Sequence, residues 1–229
     1  MHLARKAWLA VTGLTLVAGM AVSNPVSAAP TAPPTAPATP VAVTIDTGAV
    51  TAAPPPSPAR IRASIVRHAM GQVGKRETGV NNYPKTYQYN RTIVRPAEWC
   101  GVFVNWAWYM GGATRRPAMK HPTKGWNTTD QGHYATYWQK WGKANKRWRP
   151  ISKRQVEKGD AVVYGNYPQS IAHIGVVVAV KKDSRGRVTH VKTVEGNAGD
   201  KVTSFTWRKI GSLSARGAKA SGFVSPVAM

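Results

Sequence analysis

The sequence predicts an α+β domain, with helices first and an antiparallel β-sheet after them. Apolar residues recur at helical spacing in two segments, Ala59–Val73 and Cys100–Met110. From Lys158 onward the period becomes that of strands, with β-branched runs separated by short polar turns. Helices grouped ahead of hairpin-linked strands give the α+β plan, not the alternating plan of parallel sheets.

The elements follow in order. Ser57-Pro58 reads as an N-cap with Pro at the first helical position. The helix then runs from Ala59 to about Val73, with Ile61, Ile65, Ala69 and Val73 as its core stripe, ended by Gly74 and Gly79. Gly79 to Glu98 lacks periodicity and is rich in Asn and Tyr, which reads as a long ordered loop of the functional kind. Cys100 opens a second helix, to about Met110, with Phe103, Ala107 and Met110 on one face and Val104 and Trp108 adjacent. Gly111-Gly112 supplies its stop. Thr114 to Gly132 is again loop-like. A short helix is expected from His133 to Lys143, with Tyr134, Tyr137, Trp138 and Trp141 on its apolar side. Strands are expected at Asp160–Tyr164, Ile171–Val180, Arg187–Glu195, Val202–Arg208 and Ser221–Pro226.

Ahead of this domain lie two segments of different character. Residues 1–28 read as a signal peptide: a basic start (His2, Arg5, Lys6), an apolar run from Ala7 to Val22, and the small-x-small site Val26-Ser27-Ala28. That run is too short for a good membrane span, so a secreted protein without a span after cleavage is expected. Residues 29–58, rich in Ala, Pro and Thr, read as a disordered spacer. Residues 59–229 remain as one domain, expected to act as a monomer. A chain of that size buries about 70% of its unfolded surface and folds without a disulfide or metal.

Charge is the second strong signal. The chain has 32 Lys and Arg against 9 Asp and Glu, a formal net charge of +23. Only Arg5, Lys6 and Asp46 precede residue 59, so the domain holds 30 cations against 8 anions, or +22. Such a field draws in polyanions. Secretion makes an anionic cell wall a more natural target than nucleic acid.

Cys100 is the only cysteine. In a secreted chain it pairs with another chain, lies inert in a core, or does chemistry. A helix N-terminus favours the thiolate that chemistry needs. On position alone, the reactive and the buried inert readings stand level. His173 lies within Ile171–Val180, where Ile174, Val176, Val178 and Val180 form one apolar face and the small residues Gly175 and Ala179 share the face of His173. If this strand pairs with Arg187–Glu195 about Ser184, His173 and Glu195 are equally far from the turn and fall opposite each other. Asn197 is then the diagonal neighbour if the strand continues. A nucleophile, a base and an orienting carboxylate or amide result.

Glu98-Trp99-Cys100-Gly101-Val102-Phe103-Val104, Gly159-Asp160-Ala161-Val162-Val163-Tyr164, His173-Ile174-Gly175-Val176-Val177 and Glu195-Gly196-Asn197 together resemble the CHAP family of cysteine, histidine-dependent amidohydrolases/peptidases. Glu77 to Tyr89, with Asn81-Asn82-Tyr83, is similar to the family's N-terminal region. The resemblance spans about residues 60 to 226. It implies a papain-like fold, with N-terminal helices on a central antiparallel sheet, and hydrolysis of an amide bond in peptidoglycan. Carried over, Cys100 is the nucleophile, His173 the base and then acid, Glu195 the orienting group and Asn197 a further catalytic-site residue. Gly101 departs from the commoner Ala. Some relatives bind calcium through acidic residues where this chain has Asn81 and Asn82, so no calcium and no other cofactor is expected. Trp before the cysteine and Glu-Gly-Asn favour this family over the related NlpC/P60 proteins.

Trp99 is expected to line the cleft as a substrate contact or to pack beneath it. His68, His121 and His133 are scattered, and with one Cys they give no zinc site. The mixed aromatic and basic run from Trp138 to Arg149 is the texture of nucleic-acid and sugar binders. Equally, it fits core Trp residues with a solvated basic rim, the reading preferred for at least two of Trp138, Trp141 and Trp148. Two other functions stay open: a cationic wall- or nucleic-acid-binding module without catalysis, and a secreted antibacterial toxin with the same chemistry.

Overall fold

A computed structural model describes residues 55–81, 98–118, 131–169 and 171–229, within one compact unit, Ala52–Met229. The signal segment, nearly all of the spacer, and most of the loops Gly79–Glu98 and Thr114–Gly132 lie outside the described residues.

Helix α1 spans Pro58–Met70. Ser57 Oγ accepts the Arg60 N–H at 3.4 Å, and Pro58 takes the first position. The helix stops earlier than expected. The Gly71 N–H closes on the Arg67 carbonyl at 3.0 Å, and the Gly74 N–H then reaches Val202, pulling the chain toward the sheet. Val73 therefore leaves the stripe and is 39% exposed, while Ile65 and Ala69 are buried. Arg62 is buried too, because Asp160 waits for it at 2.5 Å.

Helix α2 spans Cys100–Met110 and is buried from Cys100 through Trp108. A helix apolar on nearly all sides belongs inside a fold. Met110, expected on the core face, is instead exposed past the last buried turn. Helix α3 is Tyr137–Ala144, starting later than expected. Trp138 is fully buried, with its ring edge-on to Trp108 at 4.9 Å, and Trp141 and Trp148 pack half-buried on the same core. The aromatic–basic run is thus mainly a core edge whose lysines face water, while Arg147 is buried and Arg149 turns in to Asp160.

Seven antiparallel strands form the sheet: β1 (Trp148–Pro150), β2 (Ala161–Tyr164), β3 (His173–Lys182), β4 (Val188–Glu195), β5 (Thr203–Lys209), β6 (Ser214–Ala215) and β7 (Ala218–Val224). Their order is β1-β7-β2-β3-β4-β5, with β6 paired to β7. The five expected strands are all present. β1 and β6 are too short to show a period in sequence. One face of the sheet meets the helices through Val163, Ile174, Val176 and Val194. The opposite face, with Val162, Tyr164, Val177, Val191 and Phe223, forms a second core with Ile210 and Leu213. The fold class is α+β, helices on one face of an antiparallel sheet.

Asp160, just ahead of β2, is fully buried and binds Arg62 and, at 3.1 Å, Arg149. Burial still leaves its carboxyl above the usual range despite Arg62. Breaking such a pair from one side strands a buried charge, so the cluster fixes where α1 sits on the sheet.

Candidate active site

Cys100 is the first residue of α2 and is 5% exposed. Next to it, Gly101 takes the place of the Ala that the resemblance would favour. The reason is local: a Cβ there would stand 2.3 Å from the His133 carbonyl oxygen.

His173 opens β3 and is paired across the sheet with Tyr164, whose ring lies nearly parallel to the imidazole at 6.0 Å. Glu195 closes β4. The two meet, but not in the expected register. Val176 pairs with Val194 and Val177 with Thr193, which continues to Glu195 opposite Gly175, with His173 on the diagonal. The turn centres on Arg185, where the Asp183 N–H bonds the Arg187 carbonyl at 2.9 Å, and not on Ser184. An extra residue in β3 at Val177/Ala179 is balanced by one in β4 at Lys181/Lys182, so the shift set at the turn persists to the site. The displacement is even near the site, so the face is kept. The same bulge separates Val178, which packs with the helix-side core, from Val180, which joins the other core. Gly175 makes the diagonal reach possible. A Cβ there would sit 2.4 Å from Glu195 Cγ, so only glycine lets the carboxylate lean across to His173.

Glu195 Oε2 stands 3.1 Å from His173 Nε2, with both residues fully enclosed. The contact is an ion pair off the hydrogen-bond line, since neither atom has an aligned partner among the described residues. Glu195 Oε1 is better served. It accepts from the Tyr164 hydroxyl at 2.7 Å, from Thr193 Oγ1 at 2.6 Å and from Arg208 Nη2.

Burial by itself would lower the His173 pKa. Interaction with the Cys100 thiol and the Glu195 carboxylate outweighs it and holds the imidazole up at about 9. For Glu195, burial pushes upward, but His173, Arg208 and Thr193 together bring it down to about 2. The histidine is therefore cationic and the carboxylate anionic at neutral pH. His173 Nδ1 has no aligned hydrogen-bond partner among the described residues, so the interaction with Cys100 is one of proximity. Catalytic hydrogen bonds are often loose until substrate arrives.

Two expected site residues are placed differently. Asn197 does not orient His173, because β4 ends at Glu195 and Asn197 turns away in the left-handed region (φ 57°). Its amide donates to Glu98 at 2.9 Å and to Asn81 at 3.2 Å, and its carbonyl accepts from Arg216 at 2.6 Å. Arg216 also binds Glu98 at 2.9 Å. Asn197 thus ties the loop leading into Cys100 to the turn after β4. Trp99 is not a substrate contact: it is fully buried, donates from Nε1 to Glu77 at 2.6 Å and packs edge-on to Phe103. It lies beneath the site, the second of the two positions expected for it.

The residues that sequence reasoning missed are Tyr164, Thr193 and Arg208. Thr193 precedes Glu195 by one same-face step, a signal available in the alternation. Arg208 offered none, since its approach depends on an irregularity between β4 and β5 at Val191/Thr193.

Compared with models of protein families, with curated proteins and with solved structures, the chain matches none. Among the described residues, no helix is long and apolar enough to cross a membrane.

Proposed function

We propose that this chain is a secreted peptidoglycan hydrolase of the CHAP kind on a papain-like fold. It cuts an amide bond as an N-acetylmuramoyl-L-alanine amidase or as a peptide-bridge endopeptidase. The observation that carries the reading is the enclosed sequence of Cys100, His173 and Glu195, with a thiol at a helix start beside a charged imidazole backed by a buried carboxylate.

In this mechanism the Cys100 thiolate, paired with the His173 imidazolium, attacks the amide carbonyl and forms an S–C bond. The Cys100 backbone N–H, in the first turn of α2, donates to the oxyanion. Asn197 is not the second donor, because its amide is committed to Glu98 and Asn81. His173 passes its proton to the departing amine as the C–N bond breaks. Neutral His173 then takes a proton from water, which attacks the acyl carbon and releases a carboxylic acid that ionises to solvent. Cys100 leaves as thiolate, and the starting ion pair is restored. Glu195 keeps the imidazole oriented throughout.

The charge of +23 favours a second reading, a cationic module that binds wall polymers without cutting them. Alkylation separates the two. Treating the protein with iodoacetamide is expected to stop digestion of purified cell walls and leave binding to them intact. Undiminished digestion after complete modification of Cys100 removes the hydrolase reading.

A further inference from the structure

Glu195 is an ionised carboxylate with almost no access to water, and such a group costs several kcal/mol unless it is paired and hydrogen-bonded. His173 meets only Oε2. Oε1 is held from the other side by Tyr164, Thr193 and Arg208. These three also bind one another: Arg208 Nη2 donates to the Tyr164 hydroxyl at 2.7 Å and to Thr193 Oγ1. Each hydroxyl, having accepted from the guanidinium, has its proton left for Glu195. The donor directions are therefore set by Arg208, which lies over the Phe205 ring at 4.5 Å and is itself held in place there. Charge points the same way. Glu195 lies between two cations, His173 on its Oε2 side and Arg208 on its Oε1 side.

We propose that Arg208, directly and through Tyr164 and Thr193, is the positioning residue of this site: it captures one oxygen of Glu195 so that the other is aimed at His173. Arg208 touches none of the reacting atoms in this scheme. The inference rests on the reading of His173 and Glu195 given above, but it concerns their coupling and not the bond cut. It explains why a cation two strands away from His173 is buried to about four-fifths: the Arg208 side chain is 21% exposed. The groups facing His173 are Cys100, Glu195 and Tyr164, so its titration reports this arrangement directly.

The test uses the full chain and two variants, Arg208→Gln and Arg208→Lys. The His173 titration midpoint is read by NMR of the imidazole, and kcat and KM are read on cell walls. In Arg208→Gln the midpoint is expected to fall by about one unit or more as the carboxylate loses its anchor. kcat is expected to fall about ten- to hundredfold with KM little changed, the scale on which outer partners orient a working histidine. Arg208→Lys, which keeps a donor and a charge, is expected to recover much of both. A midpoint in either folded variant that stays at the wild-type value, or rises, overturns the proposal. If Arg208→Gln does not fold, Tyr164→Phe combined with Thr193→Val removes the two relays and keeps the direct Arg208–Glu195 contact; its midpoint is expected to fall by less, and a midpoint unchanged or raised overturns the proposal. Because the NMR titration uses no substrate, a failure here leaves the alkylation test standing, and a different substrate leaves this result standing.

Discussion

At the scale of single residues, the two coupled charges set the pH behaviour. The folded pKa of His173 is raised from 6.5 to about 9, so its stabilising contribution is full below about 6.5 and is lost as pH rises through about 9. Glu195 is depressed from 4.5 to about 2, so its contribution is full above about 4.5 and is lost as pH falls toward about 2. Both are therefore complete only between about 4.5 and 6.5. The urea midpoint of the wild type is expected to drop between pH values of about 6 and 10, and Glu195→Gln is expected to show a clearly smaller drop. Equal drops in the two proteins would show that the pair is not coupled. Activity should follow the same acid. The alkaline limb of kcat/KM is expected near the His173 value, because the imidazolium that protonates the leaving amine disappears there. Glu195→Gln is expected to lower kcat by about a hundredfold or more, as loss of an orienting carboxylate does in related constellations.

At the scale of elements, the site exists because two strands approach more closely than side chains normally permit. Gly175→Ala places a Cβ within 2.4 Å of Glu195 Cγ. It is expected to cost about 1–3 kcal/mol by overpacking and to push the carboxylate off His173. Chemical denaturation measures the first effect and wall digestion the second. A variant as stable and active as wild type would mean that Glu195 does not need this path. Much of the layout was legible in sequence. The helix start at Cys100, the pairing of β3 with β4 and the meeting of His173 with Glu195 all follow from periodicity and a turn. Register was not legible. It depends on where a turn centres and on bulges set by neighbouring strands, and a turn centred on Arg185 made a direct pair a diagonal one. For the same reason Arg208 was invisible, and Asn197 was expected on a strand that ends at Glu195. Trp99 failed differently: flanking the thiol in sequence says nothing of which side of a helix start faces solvent, and Glu77 draws it inward.

For the whole molecule, excess positive charge offers a route to the wall that needs no separate binding module. If the domain is held by its +22 field, retention on cell walls is expected to fall steeply between about 0.05 and 0.5 M salt, where the screening length shortens from over 10 Å to only a few. Retention unchanged at high salt would mean a specific, short-range site. In the proposed function, charge brings the protein to the wall polymer and Cys100, His173 and Glu195 act on it; these are separable properties. The central claim concerns the second. It is tested most directly by mass spectrometry of fragments released from purified peptidoglycan by the wild type and by Cys100→Ala. The wild type is expected to release fragments bearing one new kind of amine terminus, either an N-terminal Ala or a freed bridge amine, and Cys100→Ala to release none while still binding the wall. The same new terminus appearing at a comparable rate with Cys100→Ala would contradict the account.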